Sequence, residues 1–523
     1  MKLSTFQKGL LLILIAFLLI GGLVFVARIW SGDAFNKEEA QHAIYGFWIS
    51  KDIKSLDFSS FWNDTQRQIY WPFLHSWLLS VFFILFGANY ISARLLSLIL
   101  LLAIVLLMYL LSSQLSDRSG WKIGVLSVLL ALSSPIMIQY ATTNTLETLG
   151  ALIFLASFYL YNICEEQKTA LYYVFLAVLV GLSLYTNYLY AYFIIPAFIV
   201  VALGKLGPIL FEVVSLSRKG EKAALPFMWW AYRKLIFLTV LFVIVASWFL
   251  TSAFSRKIML FMQAIFRYSG GEAPTSIAQA TLYYPRAIID SYTFSPWLGF
   301  LTLITLFLPI IAFHDEYRPI NKLFTFIWTV LVLAILTVPA KAPQLIFVIA
   351  PFLLLVFSVS VFYFMEKFPK WTTAILLVIF LPALISIPKL GAVYFPAHAQ
   401  ENMSQVLDYF HQSVPPGSPI AASFNLQHLN PENISFRFAD WGSPVMADAA
   451  MQGEDEMFST AQYFLAIEMD STSPYRGELL DDSIYSWNSF IASKIESGEL
   501  REYSLRNFGS IGIIAKIYQK QTR

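Results

Sequence analysis

Cysteine is almost missing. Cys164 is the only one in 523 residues, which excludes an internal disulfide framework and a cysteine-built metal cluster. Charge is scarce as well: Asp, Glu, Lys and Arg make up 13% of the chain, against about 25% in soluble domains. The signs nearly cancel, 35 basic residues against 33 acidic, so there is no basic field of the kind that draws nucleic acid. What remains is apolar, 58% hydrophobic with 17% aromatic. That is the composition of a polytopic membrane protein, with Trp and Tyr available for interfacial belts.

Twelve apolar segments are predicted, at 9–29, 70–86, 91–111, 124–138, 146–163, 171–185, 189–203, 235–253, 297–313, 323–338, 345–364 and 371–387. The first follows Lys2 and Lys8, is long enough to span about 30 Å, and has no small-residue cleavage site behind it. It reads as a retained helix. The positive-inside tendency places Lys2 and Lys8 in the cytoplasm. Four further basic loops belong there too: Arg118 with Lys122, Arg218 to Lys234, Arg318 with Lys322, and Lys367 with Lys370. All four land inside only if one early segment does not cross. Segment 70–86 is short, contains His75 and opens with Tyr70-Trp71-Pro72, so it is the one expected to lie at the interface. About eleven spanning helices remain, with outer loops at 30–89 and 254–295, a cytoplasmic N-terminus and an outer C-terminus.

This sorting puts the chemistry on one side. Directly after the first helix come Asp33, Glu38, Glu39 and His42, and the outer side also takes His75, Arg94, Asn144, Glu147 and Lys341. Acids at a bilayer exit either solvate a loop or act on a substrate. Glu38 and His42 are four residues apart and share a helical face. Two acids and a histidine could hold a divalent ion, although no zinc-protease type spacing supports it and hydrogen bonding at the interface is the plainer use of His42 and His75. Glu147 sits at the outer end of a spanning helix, where it can orient a ligand, bind a metal or serve as an acid favoured by the helix dipole.

Beyond residue 392 the composition turns polar. Residues 400–412 have helical spacing, with Met403, Val406, Leu407 and Phe410 on one face, and 419–424 and 510–518 read as strands. The expected organisation is a membrane domain over 1–392 and a small extracytoplasmic α/β domain over 393–523. No glycine-rich phosphate loop occurs in the latter. Asn-X-Ser/Thr triplets begin at Asn63, Asn402 and Asn433.

The run Tyr70-Trp71-Pro72-Phe73-Leu74-His75-Ser76-Trp77-Leu78-Leu79, then Leu85-Phe86-Gly87 and Ile91-Ser92-Ala93-Arg94-Leu95-Leu96-Ser97, preceded by the acidic motif, resembles the GT-C membrane glycosyltransferases. It is most similar to the bacterial branch related to protein O-mannosyltransferases and ArnT-like aminoarabinose transferases. That branch has an acidic pair in the first outer loop, a Tyr-x-Pro-Pro-Leu surface helix and an Ala-Arg-Leu helix start. Here Glu38-Glu39 replaces the usual Asp-Glu, lengthening the first acid by a methylene, and Trp71-Pro72 replaces Pro-Pro.

The resemblance implies a prokaryotic plasma-membrane enzyme and a polyprenyl-phosphate-linked sugar donor, hexosyl or pentosyl. The acceptor would be a protein, lipid or glycan hydroxyl or phosphate at the outer face, with transfer inverting. A first-loop carboxylate would be the base: Glu38, with Glu39 and Asp33 as competitors. Cations would steady the leaving phosphate. Lys341, in Pro339-Ala340-Lys341-Ala342-Pro343 ahead of Pro351-Phe352-Leu353, matches a basic residue of the family. Arg286 and Arg94 are further candidates, Arg94 also being suited to bracing the acids through a salt bridge. The competing reading is a transporter or flippase for a lipid-linked substrate, which calls for repeated halves and midplane polar groups; the polar groups here cluster at one face instead.

Overall fold

The computed structural model describes residues 4–30, 32–116, 119–167, 169–218, 224–251, 253–267, 271–308, 318–395, 402–423, 426–439, 445–446, 453–470, 473–475 and 483–521. Arg118, Lys219 and Lys222 of the basic loops, and the end of segment 297–313, lie outside these.

The chain opens with α1 (Thr5–Val24), which continues through a π-helical turn to Trp30. Where an outer loop was expected there are three helices, α2 (Lys37–Ser55), α3 (Phe58–Arg67) and α4 (Leu74–Phe86). Local sequence dictates the first: Asn36 caps α2 and Glu39 returns the bond to the Asn36 amide, a capping box, and Leu56 in the left-handed region ends it. At 13 residues α4 is about 20 Å long. It packs on α2 and buries His75, Ser76, Leu79, Ser80 and Phe83.

Then follow α5 (Tyr90–Leu115), α6 (Gly120–Leu132), α7 (Pro135–Ala141), α8 (Glu147–Glu166), α9 (Ala170–Thr186), α10 (Tyr188–Arg218) and α11 (Ala224–Leu250). The expected outer loop 254–295 holds α12 (Phe254–Phe266) and α13 (Ile277–Ala287). The membrane part closes with α14 (Pro296–Thr305), α15 (Arg318–Thr337), α16 (Ala350–Lys367), α17 (Thr372–Phe380) and α18 (Ile387–Tyr394). Among the described residues seven stretches are long and apolar enough to cross a membrane, and α6 with α7 forms an eighth, bent by 70°. Together with the shorter apolar helices α9, α14 and α15, they occupy the eleven positions expected for spans. This is a multi-pass membrane protein.

Close helix contact uses small residues, as lipid-embedded bundles do. A Cβ on Gly124 would lie 2.5 Å from the Tyr109 ring, where α6 crosses α5.

The C-terminal part holds α19 (Met403–Ser413), α20 (Pro431–Phe438), α21 (Glu454–Thr460), α22 (Ser483–Glu496) and a five-stranded sheet. Its strands are β1 (Ile420–Ala421), β2 (Val445–Met446), β3 (Tyr463–Met469), β4 (Leu500–Phe508) and β5 (Ile513–Lys520), in the order β2-β1-β3-β5-β4. β1 pairs parallel with β2 and β3; β5 pairs antiparallel with β3 and β4. Met403, Val406, Leu407 and Phe410 of α19 are buried in its core.

Candidate functional site

A cavity of about 680 Å³ opens beside the first turn of α2. Its acids are Glu38 and Glu147; its cations are Lys37 and Arg267; Gln41, Asn187, Gln263 and Gln344 add polar groups, and Tyr70, Trp71, Tyr188 and Tyr190 make aromatic wall. Glu38 is open to this space yet crowded by protein on most sides. Burial, then the neighbouring charges of Glu147 and Glu39, push its carboxyl up to about 8. Glu147 begins α8. Thr145 and Tyr190 hydrogen-bond to it, while its buried Oε2 has no partner among the described residues. Close packing sets this support: a Cβ on Gly150 would meet the Tyr190 ring at 2.5 Å.

Glu39 is the next residue and faces the other way. Arg94 of α5 grips it with two bonds, Nε to Oε1 at 2.9 Å and Nη2 to Oε2 at 3.0 Å, and the Asn144 amide donates to Oε1 at 2.9 Å. Burial alone would raise the Glu39 pKa, but the Arg94 charge and these bonds hold it below the usual carboxylate value. Arg94 also donates to the Asp33 carbonyl at 2.8 Å and stands over the Phe35 ring at 5.3 Å. The carboxylate of Asp33 accepts from the amides of Ala34 and Ser404 and from the Tyr475 hydroxyl. Glu39, Asp33 and Arg94 are thus spent on holding residues 32–36 in place. Arg94 takes the salt-bridge role, away from the cavity.

The other candidates are dispersed. Lys341 does not line the cavity: it is buried, and its Nζ donates to the carbonyls of Ala334, Ile335 and Val338, closing the C-terminus of α15 as a cation suits. Arg286 is exposed, 3.5 Å from Asp290, and borders a separate cavity of about 690 Å³. His42 and His75 are buried against each other, ring centres 5.3 Å apart, with Trp71 5.5 Å from His42. Burial and the facing His75 drive the His42 pKa well down, leaving a neutral ring. The metal set of Glu38, Glu39 and His42 does not converge, because Glu39 is held by Arg94. Among the described residues no three His, Cys, Asp or Glu side chains gather to hold an ion. Arg267, Asn187, Gln263 and Gln344 gave no sequence signal; Lys37 had one, adjacency to Glu38.

The C-terminal part reaches this wall. The Asn433 amide group donates to the carbonyls of Phe35 at 2.7 Å and His428 at 2.8 Å, while its oxygen accepts from Tyr90 at 3.2 Å. His428 Nδ1 donates to the Ala34 carbonyl at 2.9 Å. Asn433 is fully buried and so, in the folded chain, unavailable to a glycosylating enzyme; Asn402 caps α19, and Asn63 alone of the three is exposed. Asn433→Leu strands the Phe35 carbonyl and the Tyr90 hydroxyl, at a cost of about 1–3 kcal/mol. Thermal unfolding of the whole protein in detergent will show a lowered Tm; an unchanged Tm would mean the contact contributes nothing.

Residues 71–214 match the model of the family described as dolichyl-phosphate-mannose-protein mannosyltransferase. The match covers less than half the chain and starts beyond the acidic motif. No curated protein matches the sequence. Among solved structures, ArnT from Cupriavidus metallidurans bound to undecaprenyl phosphate superposes with a TM-score of 0.59 at 13% identity, covering 97% of each chain. The archaeal oligosaccharyltransferase AglB from Archaeoglobus fulgidus, in complex with an inhibitory peptide and a dolichol-phosphate, gives 0.55 at 11% identity over 88% of this chain and 70% of its own. These likenesses establish the fold as GT-C, with a membrane helix bundle and a small C-terminal sheet.

Proposed function

We propose that the protein is a glycosyltransferase that moves a sugar from a polyprenyl-phosphate carrier to an acceptor at the outer membrane face, with Glu38 as the general base. The observation that carries the reading is the pairing of Glu38 with Glu147 in one cavity beneath an aromatic wall. Two carboxyls in poor solvation cannot both ionise cheaply, so the Glu38 carboxylate, once formed, is a strong proton acceptor. An acceptor hydroxyl that attacks the anomeric carbon must lose its proton as the bond forms, and the lipid phosphate leaves with the electron pair. Lys37 and Arg267, the cations bordering the cavity, are placed to steady that charge. They take the part first given to Lys341, Arg286 and Arg94.

ArnT and AglB are both described with a polyprenyl-type phosphate, which supports a lipid-linked donor here. The loop Asp33–His42 then faces the outside, with the N-terminus and the basic loops in the cytoplasm and residues 393–523 as an outer domain.

The test is transfer by purified protein from a synthetic polyprenyl-phosphate sugar, with kcat/KM followed from about pH 6 to about pH 9. The base works deprotonated, and its carboxyl is raised to about 8. The rate should therefore climb with pH and level off above about 8. A flat profile argues for an acceptor already ionised, such as a phosphate, and against the base. Absence of transfer with movement of intact donor across vesicles would favour the flippase reading.

A further inference from the structure

A second charged cluster lies at the far end of α8, where it meets the middle of α10 and the first half of α11. Glu147 and Glu165 are at opposite ends of α8, about 27 Å apart at 1.5 Å per residue, so this cluster belongs to the other membrane leaflet. Glu165 receives ion pairs from Lys205 of α10 and from Lys234 of α11, the latter at 3.0 Å. Two more cations adjoin it. Arg233 is fully buried, its Cζ 4.5 Å from the Trp230 ring centre and 5.9 Å from that of Tyr173. Lys322 of α15 stands 5.2 Å over Tyr161, beside Lys205 at 5.4 Å over the same ring.

The charges do not balance. Neither Arg233 nor Lys322 has a carboxylate within ion-pair reach among the described residues. Arg233 spends Nη1 on the Gln167 carbonyl at 3.3 Å, while its Nε and Nη2 have no hydrogen-bond partner among the described residues. Counting the exposed Glu166 as well as Glu165, four cations face two acids among the described residues, which leaves an excess of two positive charges there. A buried guanidinium with orphaned donors is costly. Cation–π contacts recover only about 0.5–2 kcal/mol each. An anion with several acceptor oxygens would satisfy these donors, and at the level where α8 ends the abundant one in a bilayer is the lipid phosphate.

We propose that this cluster binds the phosphate of an anionic lipid headgroup in the leaflet opposite the candidate active site. Lys205 and Lys322, the part-exposed members, meet the headgroup first. Arg233 offers the edge of its fork, Nε with Nη2, a geometry suited to two phosphate oxygens. The exposed Trp229 ring and the half-buried Trp230 ring provide the interfacial surface against which the headgroup region lies. The site is independent of the transfer reaction and stands or falls apart from it.

Native mass spectrometry of the delipidated, full-length protein in detergent tests this with three probes: phosphatidylglycerol, diacylglycerol and inorganic phosphate. Phosphatidylglycerol should be retained and diacylglycerol lost. Lys322→Gln should weaken retention about fivefold, the worth of one basic residue near a lipid surface, and Lys322→Arg should keep it. Glu165→Gln should strengthen retention by freeing Lys205 and Lys234, whereas a cluster that only holds the fold together would lose stability with no gain in binding. Equal retention in Lys322→Gln, or equal binding of diacylglycerol, overturns the proposal. Saturation by inorganic phosphate with no preference for phosphatidylglycerol would identify a free-anion site and overturn the lipid assignment.

Discussion

Glu38→Gln should lower sugar transfer by about 10²–10⁴-fold, the usual contribution of a positioned base, equivalent to about 2.7–5.5 kcal/mol of barrier. The substitution keeps the size of the side chain and removes only its ability to accept a proton. Glu38 is open to the cavity and donates nothing to the fold that is visible in its surroundings, so Tm should stay put or rise as the repulsion with Glu147 is relieved. Glu38→Asp keeps the acid one methylene shorter and should retain a measurable part of the rate. Full activity in Glu38→Gln would remove Glu38 from the mechanism. Equal losses of activity and folded protein would reassign it to structure.

The opposite pattern is expected at Arg94. Arg94→Leu leaves Glu39 buried without its cation, and removing one partner of a buried pair costs about 3–5 kcal/mol. That is a large share of the roughly 5–15 kcal/mol by which domains are stable. The carbonyl of Asp33 loses its donor in the same step. The expected readout is a sharp fall in Tm and in the yield of folded protein, with residual activity following the folded fraction. Glu39→Leu with Arg94→Met together should recover part of the loss, since the uncompensated charge is gone, but not all of it, because the Asp33 carbonyl and the Asn144 amide still lack partners. If Arg94→Leu is as stable as the parent, the clamp on residues 32–36 is not what holds them.

These two residues show where sequence reasoning reached and where it stopped. Hydropathy was enough to find the apolar helices, and the demand that four basic loops fall on one side singled out 70–86, a segment that folds as the 13-residue α4. Composition likewise separated the polar C-terminal stretch that holds the sheet. The acids were harder. Glu38 and Glu39 are adjacent, so they point about 100° apart on a helix, and only the packing of α2 against α5 decides which one meets Arg94. Lys341 read as a ligand because it matches a basic residue of the family that the sequence resembles. A lysine four residues past Thr337, the last of α15, is equally a C-terminal cap, and the carbonyls of α15 claim it. Gln263 and Arg267, at the end of α12, and Gln344, about 80 residues later, reach the cavity from two distant elements, a meeting that no local pattern announces.

The clasp around residues 32–36 has a consequence for how the protein comes into being. Asp33 is bonded to Tyr475, 442 positions later, and Phe35 to Asn433, 398 positions later. The wall beside Glu38 therefore leaves the ribosome about 400 residues before the side chains that complete it. Until Asn433 and Tyr475 have been made, the front wall of the bundle is unfinished. A chain that stops after the membrane helices but before codon 433 should thus be membrane-embedded yet lack the groups that hold residues 32–36.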